Sequence, residues 1–416
     1  MIIRRVAVLL LLAMVVGCGG GTATPTPTRS PEPSASGSAA STSPSPTPEP
    51  TLDVTLRPVR VQLRWTLGAE FAGYVAAIDQ GFFESAGLDV TLVEGGPDVA
   101  PEVVGSAVTG PEFTISWVPR VLAARATGTS DLVDIGQLFQ RSSTLTMSFR
   151  DAEITSLADF KEKRVGVLPG ADRLEVTSAM AKAGVDPEGG ATLVDLGTNV
   201  DPLLRGQVDV AQVTLHDTYA SVLETNDRHT GRPYESTDFD VINLEDEGTA
   251  MLQDAVFARA SWLDSDDNEA TAQAFLKASA QGWMYCRDHP SDCVDSVVAA
   301  GQTIGARPSA SPSAAASTAS PAASGEMRLS PGHEAWAMNE VNPLIWPSPS
   351  GIGMMDPGVW QQTVGILIGA GAIPAVPSDD AYRTDLMRAA LDSLSDLDTT
   401  GDSFVKGTVE ITPAGG

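Results

Sequence analysis

The sequence predicts an α/β protein built as two lobes around a ligand cleft. Three observations predict it. From residue 57 onward, short β-rich runs alternate with helical patterns, the order that places helices on the faces of a mainly parallel sheet. Two such alternating sets follow one another, and the last third of the chain is helical. A chain of 416 residues also exceeds the needs of one small core.

The chain begins MIIRRVAVLLLLAMVVGC. Arg4 and Arg5 precede the apolar run Val6–Val16, which is too short to span a bilayer but suits the core of a signal peptide. Small residues before Cys18 are similar to a bacterial lipobox. The expectation is a signal peptide over 1–18, lipidation at Cys18 and a protein held on the outer face of the cell membrane. Residues 19–56 are almost entirely Gly, Thr, Pro, Ser, Ala and Glu, a composition that cannot offset the entropy of ordering, and read as a tether. The tract 306–326 has the same composition and reads as a surface insertion.

Within the body, RPVRVQLRW (57–65) reads as a strand, followed by a helix with Phe71, Tyr74, Ile78 and Phe82 at helical spacing and a stop at Gly87. LDVTLVE, FTISW, VDIGQLF and TLTMSF read as strands, with VPRVLAARA a helix after FTISW. A second set follows: helix SLADFKE, strand RVGVLPG, a helix from Leu174, strand ATLVDLG, helix DPLLRG, strand QVDVAQVT and a helix near Tyr219. After VINL and the strand AMLQDAVFA (250–258) come helices over 267–300, 332–342, 357–370 and 380–395. The expected lobes are 57–150 with 245–416, and 151–244.

The formal charge of −27 disfavours nucleic acids and anionic membrane surfaces as partners. Cys286 and Cys293, in YCRDHPSDC, read as a disulfide of an exported protein, with His289-Pro290 turning the chain between them. Zinc on these cysteines and His289 is the alternative, and it lacks a fourth ligand. With four histidines, no H-E-x-x-H and no G-x-S-x-G, the sequence supports neither a metal centre nor hydrolytic chemistry, and no cofactor is expected.

Ligands of open α/β sheets sit beyond the carboxyl ends of strands, which selects the candidate site. Trp65 and Trp117 end strands there and either stack on a flat ligand or cap the core. Glu70 opens a helix and either serves its dipole or accepts hydrogen bonds from an aminopyrimidine. Tyr74, one turn on, either faces the ligand or packs with Phe71. Glu94 precedes Gly95-Gly96, where backbone can approach a ligand or simply turn. Gly170 and Asp172, in PGAD, open a helix whose N–H groups suit a polar ligand group. Gln212, His216, Asp217 and Tyr219 follow the next strand. Asp254, beside Gln253 in an apolar strand, needs a partner, either the ligand or an arginine.

LRW, AEFAGYVAAIDQGFFESAGLDVTLVEGGP, FTISW, LADFKEKRVGV, GTAMLQDAVFA and AWAMNEVNPLIWPS together resemble the bacterial ABC-transporter solute-binding proteins of the sulfonate and thiamine-precursor superfamily. The resemblance runs over residues 57–412 and implies the type II periplasmic-binding fold, a small-molecule ligand, a membrane permease as partner and a monomer. Within the superfamily it points to binders of thiamine pyrimidine precursors, of the hydroxymethylpyrimidine or formylaminopyrimidine type, with riboflavin next. Alkanesulfonates and nitrate follow, because no basic residue is evident at the strand ends. The superfamily also contains a thiamine pyrimidine synthase, but Trp117 stands where that enzyme has its pyridoxal phosphate lysine, and its cysteine-rich run has no counterpart.

Overall fold

The structure, a computed structural model, describes residues 55–197, 200–304 and 329–412. The signal peptide, Cys18, nearly all of the 19–56 tether and the 306–326 tract lie outside them. In chain order the strands are β1 (Arg57–Gln62), β2 (Leu88–Val93), β3 (Phe113–Trp117), β4 (Leu132–Gln137), β5 (Thr144–Phe149), β6 (Arg164–Val167), β7 (Thr192–Asp195), β8 (Val210–Thr214), β9 (Phe239–Asn243) and β10 (Asp254–Arg259). The helices are α1 (Ala72–Asp79), α2 (Phe82–Ser85), α3 (Pro101–Ser106), α4 (Val118–Ala126), α5 (Leu174–Lys182), α6 (Asp201–Leu204), α7 (Thr218–Leu223), α8 (Leu244–Glu247), α9 (Ala260–Leu263), α10 (Asp266–Asp288), α11 (Pro290–Ile304), α12 (Pro331–Ile345), α13 (Pro357–Gly369) and α14 (Asp385–Asp392). SLADFKE forms only a 3-10 turn over Leu157–Phe160, closed by a capping box between Ser156 and Asp159.

Two five-stranded sheets result, ordered β2-β1-β3-β10-β4 and β7-β6-β8-β5-β9. They are mixed, which corrects the expectation of parallel sheets. β1 runs parallel to β2 and β3, and β6 parallel to β7 and β8. β10 is antiparallel to β3 and β4, and β5 to β8 and β9. The odd strands are those that arrive from the other lobe. No helical crossover from a neighbour dictates their direction. The lobe boundary at 150 is corrected for the same reason. β5 belongs to the second sheet, so the chain crosses at 138–143 and returns at 248–253. Residues 250–253, expected as strand, form that return.

In the first lobe α1 packs on α10 at backbone distance. A Cβ on Gly73 would lie 2.2 Å from the Trp283 ring, and one on Gly282 would lie 1.9 Å from the Gly73 carbonyl. Phe113 stacks on Phe275 at 4.1 Å between centroids, and Tyr74 lies between Phe275 and Trp283. Ile78, placed in this core by its spacing, is 40% exposed because α1 turns that position to solvent, and Phe82 is only partly buried. The helical reading of 267–300 breaks at His289, where Pro290 starts α11. The Cys286–Cys293 disulfide ties the two helices, and it uses the thiols that a zinc site would need.

Candidate functional site

The carboxyl ends of β1, β3, β6 and β8 converge on one cavity of about 730 Å³ between the sheets. On its wall lie Trp65, Glu70, Trp117, Gly170, Asp172, Gln212, His216 and Asp217 of the expected residues. Trp65 is partly exposed there, while Trp117 is 3% exposed. Tyr74, Glu94, Tyr219 and Asp254 are not on the wall.

Tyr74 is one of these. It is buried in the α1–α10 core, on the face of α1 that meets Phe275 and Trp283. Glu94 turns instead to its own loop. Its Oε1 accepts the Leu67 N–H at 2.7 Å, and so braces the turn that carries Trp65. Gly95 beside it presses on β1's continuation: a Cβ there would lie 2.5 Å from the Leu63 carbonyl. The next two residues, Gly96 and Pro97, do reach the wall. Tyr219 packs on Trp336 at 6.1 Å, along the flank of the cleft rather than in it.

Asp254 stands one layer behind. β10 pairs it with Trp117, and it accepts Trp117 Nε1–H and Arg64 Nε–H, each at 3.0 Å. Of the two partners left open for this buried acid, the arginine is the one present. Arg64 also donates to Glu70 Oε2 at 3.0 Å and lies 4.9 Å over the Trp117 ring. Burial opposes the Arg64 charge, but Asp254 and Glu70 outweigh it and hold the guanidinium above its usual range.

Arg120, on the first turn of α4, makes a two-pronged pair with Asp172 of the second lobe, with Nε–H to Oδ1 at 2.8 Å. Arg64 and Arg120 therefore correct the expectation that no basic residue reaches the strand ends. Arg64 was hidden by counting it as part of a strand, and Arg120 by counting it as part of a helix. The usable signals were the unpartnered Asp254 and the spacing of Arg120, one turn beyond Trp117.

Gln212 shapes the second wall. Its amide accepts Leu168 N–H at 2.9 Å and donates to the Asp172 carbonyl at 2.8 Å, pinning the PGAD loop to β8. Gly170 sits at φ 64°, which suits glycine. His216, a residue type more often found in packing or on the surface than in ligand contact, lies on the wall with Nε2 at 2.8 Å from Glu70 Oε2. That bond joins the lobes, as does Arg120–Asp172.

A third junction lies on the flank. His333 of α12 meets Glu224 at 3.1 Å and Asp217 at 3.6 Å, and Trp336 donates to the Leu215 carbonyl at 3.0 Å. Burial works against charge on His333, but these two carboxylates prevail and raise its pKa to about 10. Among the described residues no group of histidine, cysteine or carboxylates could hold a metal ion, and no helix is long and apolar enough to cross a membrane.

Residues 68–293 match the family model described as NMT1/THI5 like. A protein from Haemophilus influenzae named as a thiamine biosynthesis protein is 26% identical over 153 residues, 36% of this chain and about half (48%) of its own length. The formylaminopyrimidine-binding protein of Halalkalibacterium halodurans is 24% identical over 58% of this chain and 70% of its own. Among solved structures, the periplasmic aliphatic sulphonate binding protein SsuA from Escherichia coli superposes with a TM-score of 0.52 at 14% identity, over 80% of this chain and 91% of that one. The two mixed sheets agree with the two-lobed periplasmic-binding fold of that neighbour.

Proposed function

The chain belongs to the NMT1/THI5-like family, and on that basis we propose that it is the solute-binding component of an ABC importer whose ligand is an aminopyrimidine of the thiamine-precursor type. The observation that carries the choice of ligand is the charge balance of the cleft. Both wall arginines are committed to carboxylates, Arg64 to Glu70 and Asp254, and Arg120 to Asp172. An alkanesulfonate or nitrate would need a cation free to meet it, and recruiting either arginine would strand a buried carboxylate. A neutral, flat heterocycle asks for neither. Trp65 offers it a ring face, and Glu70 offers the exocyclic amine an acceptor. The name of the Halalkalibacterium halodurans relative agrees with this choice.

Ligand binding is read as lobe closure. Arg120–Asp172 and Glu70–His216 form only when the lobes meet, so a ligand that fills the cavity stabilises the form a permease would recognise. No covalent step is involved. Among the described residues no lysine lines the cavity to form an imine with pyridoxal phosphate. The protein acts as a monomer on the outer face of the membrane, held by lipid on Cys18. Cys18→Ala should release it from the membrane fraction without changing ligand affinity. The direct test is isothermal titration with the amino-hydroxymethyl-methylpyrimidine precursor: saturable one-to-one binding with no change in the ligand supports the reading, and ligand turnover would contradict it.

A further inference from the structure

The segment 401–412 forms neither helix nor strand, yet it is fixed at several points. Its start is held on the first lobe. Ser348 and Ile352 donate their N–H groups to the Thr400 and Thr399 carbonyls, each at 2.8 Å. Gly401, at φ 64°, presses on Trp346, where a Cβ would lie 2.5 Å from the ring. Phe404 packs on the first-lobe core. The segment then runs back along α12. Lys406 pairs with Glu340, whose side chain is 2% exposed, and a Cβ on Gly407 would lie 3.1 Å from Asn339 Oδ1. Ile411 then packs against the core of the second lobe, in the cluster that holds Val213, Leu223 and Tyr219. Beyond Phe404 only Val409 and Ile411 are half-buried, and the other residues up to Thr412 are exposed.

The seat of Ile411 lies behind the cavity wall. α7 has Asp217 at its cap and opens on Thr218, and both line the cavity. It continues through Tyr219, which packs on Trp336 of α12. Burial, and after it the Glu340 charge, raises the Tyr219 hydroxyl above its usual value, so the carboxylate that Lys406 holds stands beside the second lobe. We infer that residues 404–411 form a strap across the lobe junction, anchored on the first lobe and seated through Ile411 on the second, which holds the lobes closed. The two chain passes at 138–143 and 248–253 join the lobes covalently. The strap meets the second lobe by packing alone, and it lets go when the lobes part. A contact made only in the closed state favours that state by its own free energy, whichever ligand occupies the cleft.

The test compares the native full chain with Ile411→Asp, which sets a charge against the apolar seat. Losing the packing of a half-buried isoleucine should favour opening about tenfold. Dissociation of the amino-hydroxymethyl-methylpyrimidine, followed by stopped-flow tryptophan fluorescence, should speed up about three- to tenfold. The radius of gyration without ligand should also rise in small-angle scattering. Either change supports the strap. A chain stopped after Gly407 keeps Lys406, loses Ile411 and should behave in the same way, and it decides the matter where Ile411→Asp does not fold. Native dissociation and native scattering in the altered proteins, even with a lower melting temperature, would overturn the inference, because Ile411 would then only stabilise the second lobe. If the probe does not bind the native protein, the pyrimidine reading fails and the scattering comparison alone decides the strap.

Discussion

At the scale of the residue, the cleft is organised around Arg64. It reaches Asp254 and Glu70 and lies over Trp117, so one side chain sets the positions of three others. Replacing it with Met leaves two buried carboxylates without their cation, and should cost about 3–5 kcal/mol in urea unfolding. A loss within experimental error of zero would show that the network does not hold the site. Trp65 and Trp117 part company here, although their positions at strand ends look alike in sequence. Trp65 keeps a partly exposed face on the cavity, and Trp65→Ala should weaken aminopyrimidine binding about tenfold, as expected for a stacking contact on the order of 1 kcal/mol. Trp117→Ala should also weaken it by at least about tenfold, but by a different route. It removes the N–H that satisfies Asp254 and the face under Arg64. Unchanged affinity in fluorescence titration would remove either residue from the site. Sequence identified strand-end residues well because strand ends follow from local pattern. It missed Arg64 and left Tyr74 open between ligand and core, because the direction of a side chain depends on which helix packs behind it. For Tyr74 that helix is α10, some two hundred residues away in the chain.

At the scale of the element, the site depends on two loops held from outside. Glu94 braces the turn after β1, and Gln212 pins the PGAD loop to β8. The loops then bring α4 of one lobe against the 170–173 turn of the other through Arg120 and Asp172. Asp172→Asn keeps the shape and removes the charge. The closed arrangement should become less populated, seen as a larger radius of gyration in small-angle scattering without added ligand. Identical scattering from the two proteins would mean that this pair does not hold the lobes together. The elements themselves were largely legible: helix α5 begins at Leu174, where expected, and β3 ends on Trp117. Their membership was not. β5 reads as one more strand of its set, and only its pairing with β8 and β9 assigns it to the second lobe. Alternating hydrophobicity specifies a strand and its faces, but carries no information on which sheet receives it.

At the scale of the whole molecule, the chain passes at 138–143 and 248–253, the packing of Ile411 on the second-lobe core and several polar bridges join the lobes, and one bridge is sensitive to pH. His333 titrates at about 10 in the folded protein against an ordinary 6.5, because Asp217 and Glu224 flank it. A raised folded value means that the native state binds the proton more tightly. Its stabilisation is full below about 6.5 and is lost as pH climbs toward 10. The melting temperature should therefore fall across that window, and His333→Gln should flatten part of the fall. Parallel curves for the two proteins would contradict it. On the proposed reading, the cleft selects a neutral aromatic amine over an anion. The most direct measurement is a tryptophan fluorescence titration of the compact body, residues 54–416, with the aminopyrimidine, thiamine, riboflavin and taurine in turn. The aminopyrimidine should give a saturable response and taurine none. A response to taurine with silence toward every aromatic ligand would contradict it.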